Sequence, residues 1–320
     1  MKKSPKTILV TGPAGFIGSN FVATFKKQFS KTEIVGIDNF STGRKDRLDK
    51  SITFYKGSIT DRKFLDKVFK KHKPEYIFHF AAMPRVSVSV EFPVETTENN
   101  IVGTVAVLEA AKNHGAQRVI YSSSSSVYGG ADQLPTPETT PINPKSPYAL
   151  QKYVGEPYCK IFSSLFGLDT AVLRYFNVFG PGQFGNSPYS TVMAGWLEAL
   201  YFPGSKELFL EGDGLQSRDF TYVDNVVQAN IKAMLCEKRI NGEAFNVAGG
   251  ERTTLLEVRK LIEQYTGKKL SIEMRPTRIG DVRHSHANIS KAKKVLDYKP
   301  EVDFKTGLKK TIAWFDSRKK

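Results

Sequence analysis

The chain has 320 residues, 40% hydrophobic and 25% charged, an ordinary balance for a folded protein that excludes disordered, collagen-like and coiled-coil classes. No apolar run nears the ~20 residues of a membrane span, no secretory h-region follows Met1-Lys2-Lys3, and Cys159 and Cys236 make no disulfide framework or metal pattern, so a cytoplasmic protein without membrane attachment or metal is expected. The net charge of +15 comes from scattered pairs such as Lys26-Lys27 and Lys293-Lys294, with no basic block, which reads as a lysine-rich surface and not as a nucleic-acid partner.

Thr7–Val10 predicts a buried strand, 15–28 a helix and Glu33–Ile37 a second strand. Further strands are expected near 52–55, 76–80, 118–122 and 170–175, with helices at 61–72, 93–114 and 147–166. This alternation argues for an α/β fold, a doubly wound parallel sheet covered on both faces. After Asn177 the rhythm changes. Segment 180–190 (GPGQFGNSPYS) reads as loop, 191–202 as helix, 207–210 and 220–223 as strands, and 224–236, 254–266 and 305–317 as helices. No linker separates two halves, so the second half is expected as a smaller lobe built on the first: a main domain of 1–177 with about 219–247, and a lobe of 178–218 with 248–320.

Three stretches carry chemistry. The first is TGPAGFIGSN (11–20), directly after the first strand. Gly12, Gly15 and Gly18 suit a tight turn, close approach of a diphosphate and packing of helix on sheet, with the diphosphate on the helix N-terminus. The spacing G-x-x-G-x-x-G departs from the usual dinucleotide fingerprint, but Asp38 ends the next strand 20 residues after Gly18, where an acid grips the ribose hydroxyls. An acid there repels a 2′-phosphate, so NAD is expected over NADP. The second is Tyr148-Ala-Leu-Gln-Lys152: four apart on a helix, the phenol and ammonium share a face, and the ammonium is expected to draw the phenol pKa down toward use as a general base. The third is the serine run Ser122–Ser126 at the carboxyl end of a strand, where ligands of such sheets bind.

Together these stretches resemble the extended short-chain dehydrogenase/reductase superfamily over nearly the whole chain. Within it, the chain is similar to the nucleotide-sugar epimerases through DNFSTG (38–43), SSSSSVYG (122–129), YALQK (148–152), LRYFNVFGPGQ (173–183), GDGLQSRDFTYVDN (212–225) and RIGDVRHSHANISKA (278–292). The resemblance implies a Rossmann sheet of the extended type with a C-terminal lobe for a UDP-sugar, NAD as cofactor, and a catalytic trio of Ser124, Tyr148 and Lys152. For the cofactor it implies Gly12, Gly15, Phe16, Ile17, Gly18, Asp38, Asn39, Ser41, Thr42, Gly43, Ser58, Ile59, Ala81, Ala82, Asn100, Tyr148, Lys152 and Phe176. For the sugar nucleotide it implies Ser124, Ser125, Tyr148 and Asn177, phosphate-holding Arg218 and Arg278, and Asp281 and Ser285. It also implies a homodimer joined through the helices near 95–113 and 147–166. Ser58 stands where relatives often carry Asp toward the adenine, and 81–93 (AAMPRVSVSVEFP), with Arg85, departs from the familiar members.

Related 4,6-dehydratases usually carry Asp-Glu at the positions of Ser125 and Ser126, and UDP-glucuronate decarboxylases Glu at Ser126, so neither elimination nor decarboxylation is expected. What remains is oxidation and re-reduction of one carbon, C4 epimerisation. Among sugars, Ser285 stands where tyrosine would crowd an N-acetyl group, which points to UDP-GlcNAc and UDP-GalNAc, with UDP-Glc and UDP-Gal also able to fit. The stretch 280–292 most resembles bacterial UDP-N-acetylglucosamine 4-epimerases; a UDP-glucuronate 4-epimerase is the alternative, set back by the absence of charge from 180 to 190. A non-catalytic NAD-binding regulator is a remote further reading.

Overall fold

In the computed structural model, which describes residues 4–184, 192–202, 204, 208–276 and 282–318, strand β1 (Thr7–Thr11) runs through the glycine turn into helix α1 (Phe16–Gln28). There follow β2 (Glu33–Asp38), β3 (Thr53–Lys56), α2 (Arg62–His72), β4 (Tyr76–His79), α3 (Val86–Glu91), α4 (Pro93–Thr97), α5 (Gly103–Asn113), β5 (Arg118–Ser124), α6 (Pro147–Phe166) and β6 (Asp169–Tyr175). The remainder holds β7 (Val178–Phe179), α7 (Val192–Tyr201), β8 (Phe209–Glu211), β9 (Ser217–Arg218), β10 (Thr221–Tyr222), α8 (Val223–Leu235), β11 (Ala244–Val247), β12 (Thr253–Thr254), α9 (Leu255–Thr266), β13 (Glu273–Arg275), α10 (Ser290–Leu296) and α11 (Phe304–Asp316).

Seven strands form one parallel sheet in the order β3-β2-β1-β4-β5-β6-β11. The direction of winding reverses between β1 and β4, and a crevice opens at the carboxyl ends of strands at such a point. Every residue of β1 is buried, because both sheet faces are covered. Ile8 and Val10 join one core with Phe21 and Phe25 of α1 and Val226 and Val227 of α8; Leu9 joins the other with Leu65 and Phe69 of α2 and Cys159 and Phe162 of α6. A third core, with Phe179, Trp196, Tyr222, Phe304 and Phe315, holds the lobe together. Buried Arg118 ties β5 to this frame: its guanidinium pairs with Asp169 at 2.6 Å and donates to the carbonyls of Ala233, Cys236 and Lys238 at the end of α8.

The sequence expectation differs from the structure in the stretch before β5. The single helix expected over 93–114 is three helical pieces, α4, a π-turn at Glu98–Val102, and α5. Gly103 sits where the π-turn ends, and a Cβ there would meet Ile59 at 2.6 Å, so close packing on the loop after β3 sets the joint. Helix α3 was not expected: six residues of alternating Val and Ser carry no helical period. Helix α10, equally short, was also missed. Among the described residues no helix is long and apolar enough to cross a membrane.

Candidate active site

The glycine turn is built by close approach. Gly12 has φ +74°, and a Cβ on it would lie 2.9 Å from the Ala81 nitrogen; a Cβ on Gly18 would lie 2.1 Å from the Gly12 carbonyl oxygen. Gly15 caps α1 with no side-chain hydrogen bond, and the first turn has no acid, so an anion would meet the positive helix end unopposed. Asp38 is buried at the end of β2. Its carboxylate accepts from the backbone N–H of Ala14 at 3.0 Å and of Phe40 at 2.7 Å. Burial pushes its pKa up and the two N–H donors pull it back. These features fit a dinucleotide: a diphosphate cradle that tolerates no side chain, beside a carboxylate held for ribose hydroxyls.

Behind the turn runs a buried polar relay. Thr11 Oγ1 accepts from Ala81 N–H at 3.1 Å, which leaves its proton for His79 Nδ1 at 2.7 Å. Nε2 of His79 then donates to Thr104 at 3.0 Å, and the Thr104 hydroxyl to the Asn100 carbonyl at 2.7 Å. The side chain of Asn100 is consumed as well: it accepts from Met83 N–H at 2.8 Å and donates to the Met83 carbonyl at 3.1 Å and to Gln151 at 2.7 Å.

On α6, Ser146 caps the helix by accepting from Ala149 N–H, Pro147 fills the first position, and Tyr148 follows in the first turn. The N–H of Tyr148 would lack a partner there; the Ser89 hydroxyl of α3 accepts it at 3.0 Å. Tyr148 is half-buried on the cleft wall, its phenol hydrogen-bonded with Ser124; desolvation pushes the phenol up to about 12 and the Ser124 bond opposes this. Lys152, one turn on, donates to the Ser122 carbonyl at 2.8 Å, and burial pulls its ammonium down to about 8. The expected lowering of the phenol by the ammonium is not seen: desolvation sets the direction, opposed by Ser124 alone, and the lysine is turned to the main chain of β5. Ser124 ends β5, and its Oγ accepts from Ser126 N–H at 3.2 Å. Ser123 donates to Glu156 at 2.6 Å, and Glu156 is gripped by Arg174 at 2.6 and 2.9 Å, which anchors the serine shelf to α6 and β6. The buried Ser126 hydroxyl oxygen has no partner among the described residues and borders the cleft.

The lobe closes the other side. Asn177, in the left-handed region at φ +28°, donates to the Asp219 carbonyl at 3.3 Å and to Ser285 Oγ at 3.1 Å. Ser285 Oγ also accepts from Asp219 N–H at 3.4 Å, and Ser285 N–H donates to the Ser217 carbonyl at 3.0 Å. Arg218 donates to the carbonyls of Ser217 and Arg283, each at 3.1 Å. The carboxylate of Asp219 accepts from Gly249, Gly250 and Ala287, yet burial pushes it up to about 7.

These parts line one cleft of about 1350 Å³, above the ~300–1,000 Å³ usual for one small ligand and roomy enough for two nucleotides. Of the residues expected from sequence, its wall carries Gly12, Gly15, Phe16, Ile17, Gly18, Asp38, Asn39, Ser41, Thr42, Ile59, Ala81, Ala82, Ser124, Ser125, Tyr148, Phe176, Asn177, Arg218 and Ser285. Gly43, Ser58, Asn100 and Lys152 are not on that wall. Asn100 is 1% exposed and braces Met83, Lys152 is buried against β5, the Ser58 hydroxyl pairs with Thr60 at 2.8 Å, and Gly43 packs against Ala14. Arg278 and Asp281 lie outside the described residues. Sequence reasoning missed Arg44, Arg47, Phe184 and His284 on the wall. None follows from a motif's chemistry; only the fold brings them to the cleft.

Comparison with known proteins follows the geometry. Residues 8–248 match the model of the NAD-dependent epimerase/dehydratase family. A UDP-glucose 4-epimerase of Mycolicibacterium smegmatis is 36% identical, with 97% of this chain and 98% of that protein aligned. The structure of a UDP-glucose 4-epimerase of Thermotoga maritima with UDP-glucose superposes with a TM-score of 0.91 at 37% identity, covering 97% of this chain and 99% of that one. A UDP-N-acetylglucosamine 4-epimerase of Methanobrevibacter ruminantium, in complex with UDP-N-acetylmuramic acid, gives 0.90 at 36%, covering 99% and 100%. A UDP-glucuronic acid 4-epimerase of Bacillus cereus, with UDP-glucuronic acid and NAD, gives 0.88 at 31%, covering 97% and 99%.

Proposed function

The chain belongs to the NAD-dependent epimerase/dehydratase family, and from that premise we propose that it interconverts UDP-N-acetylglucosamine and UDP-N-acetylgalactosamine in the cytoplasm. It is an NAD-dependent UDP-sugar 4-epimerase. The observation that carries the N-acetyl reading is Ser285. It is small, lies on the cleft wall, and its hydroxyl is turned to Asn177 and Asp219, so the position leaves room beside the sugar.

NAD, when bound, would supply a reversible hydride acceptor for the sugar C4. The rest is done by the chain. Tyr148, as phenolate, takes the C4 hydroxyl proton and gives it back. Ser124, already hydrogen-bonded to that phenol, passes the proton and holds the C4 oxygen. Lys152 supplies a desolvated positive charge one turn away, which favours phenolate once the nicotinamide adds its own. Asn177, Arg218 and Arg278 hold the UDP so that the 4-keto sugar can turn while its anchor stays. Asp38 selects NAD over NADP. We assign the catalytic frame to 1–177 with about 219–247 and the sugar-nucleotide lobe to 178–218 with 248–320. Two copies pair through α6 and the 94–102 stretch, where Val94, Val102, Leu150, Ile161, Leu165 and Phe166 are exposed.

A second reading, UDP-glucuronate as substrate, has one observation in its favour: Arg85 lines the cleft with no hydrogen-bond or ion-pair partner among the described residues, and a guanidinium suits a carboxylate. Product NMR after incubation with UDP-GlcNAc, UDP-Glc and UDP-glucuronate separates the two. The proposal expects UDP-GalNAc as the main product, and faster turnover of UDP-glucuronate would overturn it. Ser285→Tyr then tests the gate. Overpacking by a ring costs roughly 1–3 kcal/mol, so turnover of the N-acetyl pair should fall ~10- to 100-fold with UDP-Glc and UDP-Gal retained. A parallel loss across all four sugars would remove Ser285 as the gate.

A further inference from the structure

Arg44 and Arg47 follow β2 on the same cleft wall, and the roles above use neither. Their guanidinium carbons lie 4.5 and 5.3 Å from the centroid of the Phe184 ring, so two positive charges share one aromatic ring. Arg44 has a carboxylate partner: its Nε and Nη2 donate to Asp46 at 3.0 and 3.1 Å. Arg47 has none among the described residues. Its Nε is shut off from solvent without a hydrogen-bond partner, and burial and the Arg44 charge together pull its pKa down to about 10. A guanidinium in this state is an unused fork of donors, unfavourable until an anion meets it.

The surroundings say which anion. Arg44 N–H donates to the Ala14 carbonyl at 3.0 Å, inside the glycine turn, and Gly43 packs on Ala14. Asn20 of α1 donates to the Pro181 carbonyl at 3.0 Å, which brings the chain carrying Phe184 onto the same helix. Arg47 thus lines the same cleft as Gly15 and Phe16, its guanidinium lies against Phe184, and its loop is held to the glycine turn by the Arg44–Ala14 hydrogen bond. We infer that Arg47 is a further cofactor-binding residue, pairing with the diphosphate of the dinucleotide that the start of α1 receives. The UDP-sugar carries the same diphosphate chemistry, but the attachment of this loop to the glycine turn assigns Arg47 to the dinucleotide. The inference rests on NAD as cofactor and is independent of which sugar is epimerised.

Fluorescence titrations of Arg47→Ala and Arg47→Lys with NAD, NADP and UDP test it, together with melting in the presence and absence of NAD. Loss of a charge-assisted hydrogen bond predicts NAD binding weakened ~10- to 100-fold in Arg47→Ala. Arg47→Lys keeps the charge without the planar fork and should recover part of that loss. UDP binding should stay within about twofold, since the UDP site does not use Arg47 in this inference. Without cofactor, Arg47→Ala should melt no lower than the parent, because an unpaired charge has been removed, while the rise on adding NAD shrinks. Unchanged NAD affinity, a loss that falls on UDP, or a loss confined to NADP would each overturn the inference. So would a lower melting point without cofactor and an unchanged rise with it, the signature of a purely structural arginine.

Discussion

A phenol whose pKa is pushed up to about 12 stays protonated at neutral pH, so the proton-accepting role we propose for Tyr148 needs positive charge near it. Tyr148→Phe removes the oxygen that moves the proton and should cut turnover by ~10² or more with UDP affinity little changed; a stopped assay beside a UDP titration checks both. Near-normal turnover would mean another base. His79 makes a different kind of prediction. Burial, with the Lys152 charge adding, pulls it down to about 3, so it stays neutral in the fold. Its folded pKa lies below the unfolded value near 6.5, so the unfolded chain binds the extra proton between those values. Stability from this group is full above about pH 6.5 and falls as pH drops, on the order of 2 kcal/mol by pH 5. In urea denaturation, His79→Gln should show a smaller loss between pH 7 and pH 5 than the parent. An equal loss would mean that the buried imidazole does not set the acid limb.

At the scale of elements, α3 and α6 act as a pair. Helix α3 is short and leaves Val86 and Val90 exposed, but its Ser89 is fully buried and holds the N–H of Tyr148. The hydroxyl thereby fixes the first turn of α6 and with it the phenol's approach to Ser124. Ser89→Ala leaves that N–H unsatisfied, an effect of ~1–3 kcal/mol, and should lower kcat more than it raises KM for the UDP-sugar. Ser89→Thr, which keeps the hydroxyl, should recover part of kcat. A change in stability alone, with kcat intact, would reduce Ser89 to a packing residue. The turn between β1 and α1 is just as specific, because a Cβ at Gly18 would sit 2.1 Å from backbone oxygen, which no rotamer change relieves.

For the whole molecule, exposed large apolar side chains include Leu215, Leu256, Met274 and Val295, but most fall between 86 and 102 and along α6. Leu150, Ile161, Leu165 and Phe166 of α6 and Val94 and Val102 of the adjoining stretch are 44–72% exposed, on the two elements whose helices were expected to pair subunits. A surface of this kind seeks a partner, and pairing two helices from each copy would bury it. Ile161→Glu with Leu165→Glu should turn a dimer into a monomer in sedimentation velocity. A parent that already sediments as a monomer, or a double variant that remains dimeric, would rule this face out.

Much of the fold was legible because periodicity reports burial directly. The strands 7–11, 33–38, 118–124 and 169–175 are built on short apolar runs buried in the sheet, and α6 spans the 147–166 expected from its pattern. The glycine turn, Asp38 and the pair Tyr148 and Lys152 were legible for a similar reason: their chemistry depends on short spacings within one turn or one strand end. The sequence by itself thus determined the sheet and the cofactor. It did not determine that desolvation, opposed by Ser124 and not by Lys152, sets the phenol, that Asn100 braces Met83, or that Ser89 and Arg47 come within reach of the site. Those depend on contacts between segments far apart in the chain, such as Ser89 with Tyr148 or Asn177 with Ser285. Burial and pairing across such distances are properties of the assembled fold. A local pattern carries no record of them, so only the tertiary structure decided them.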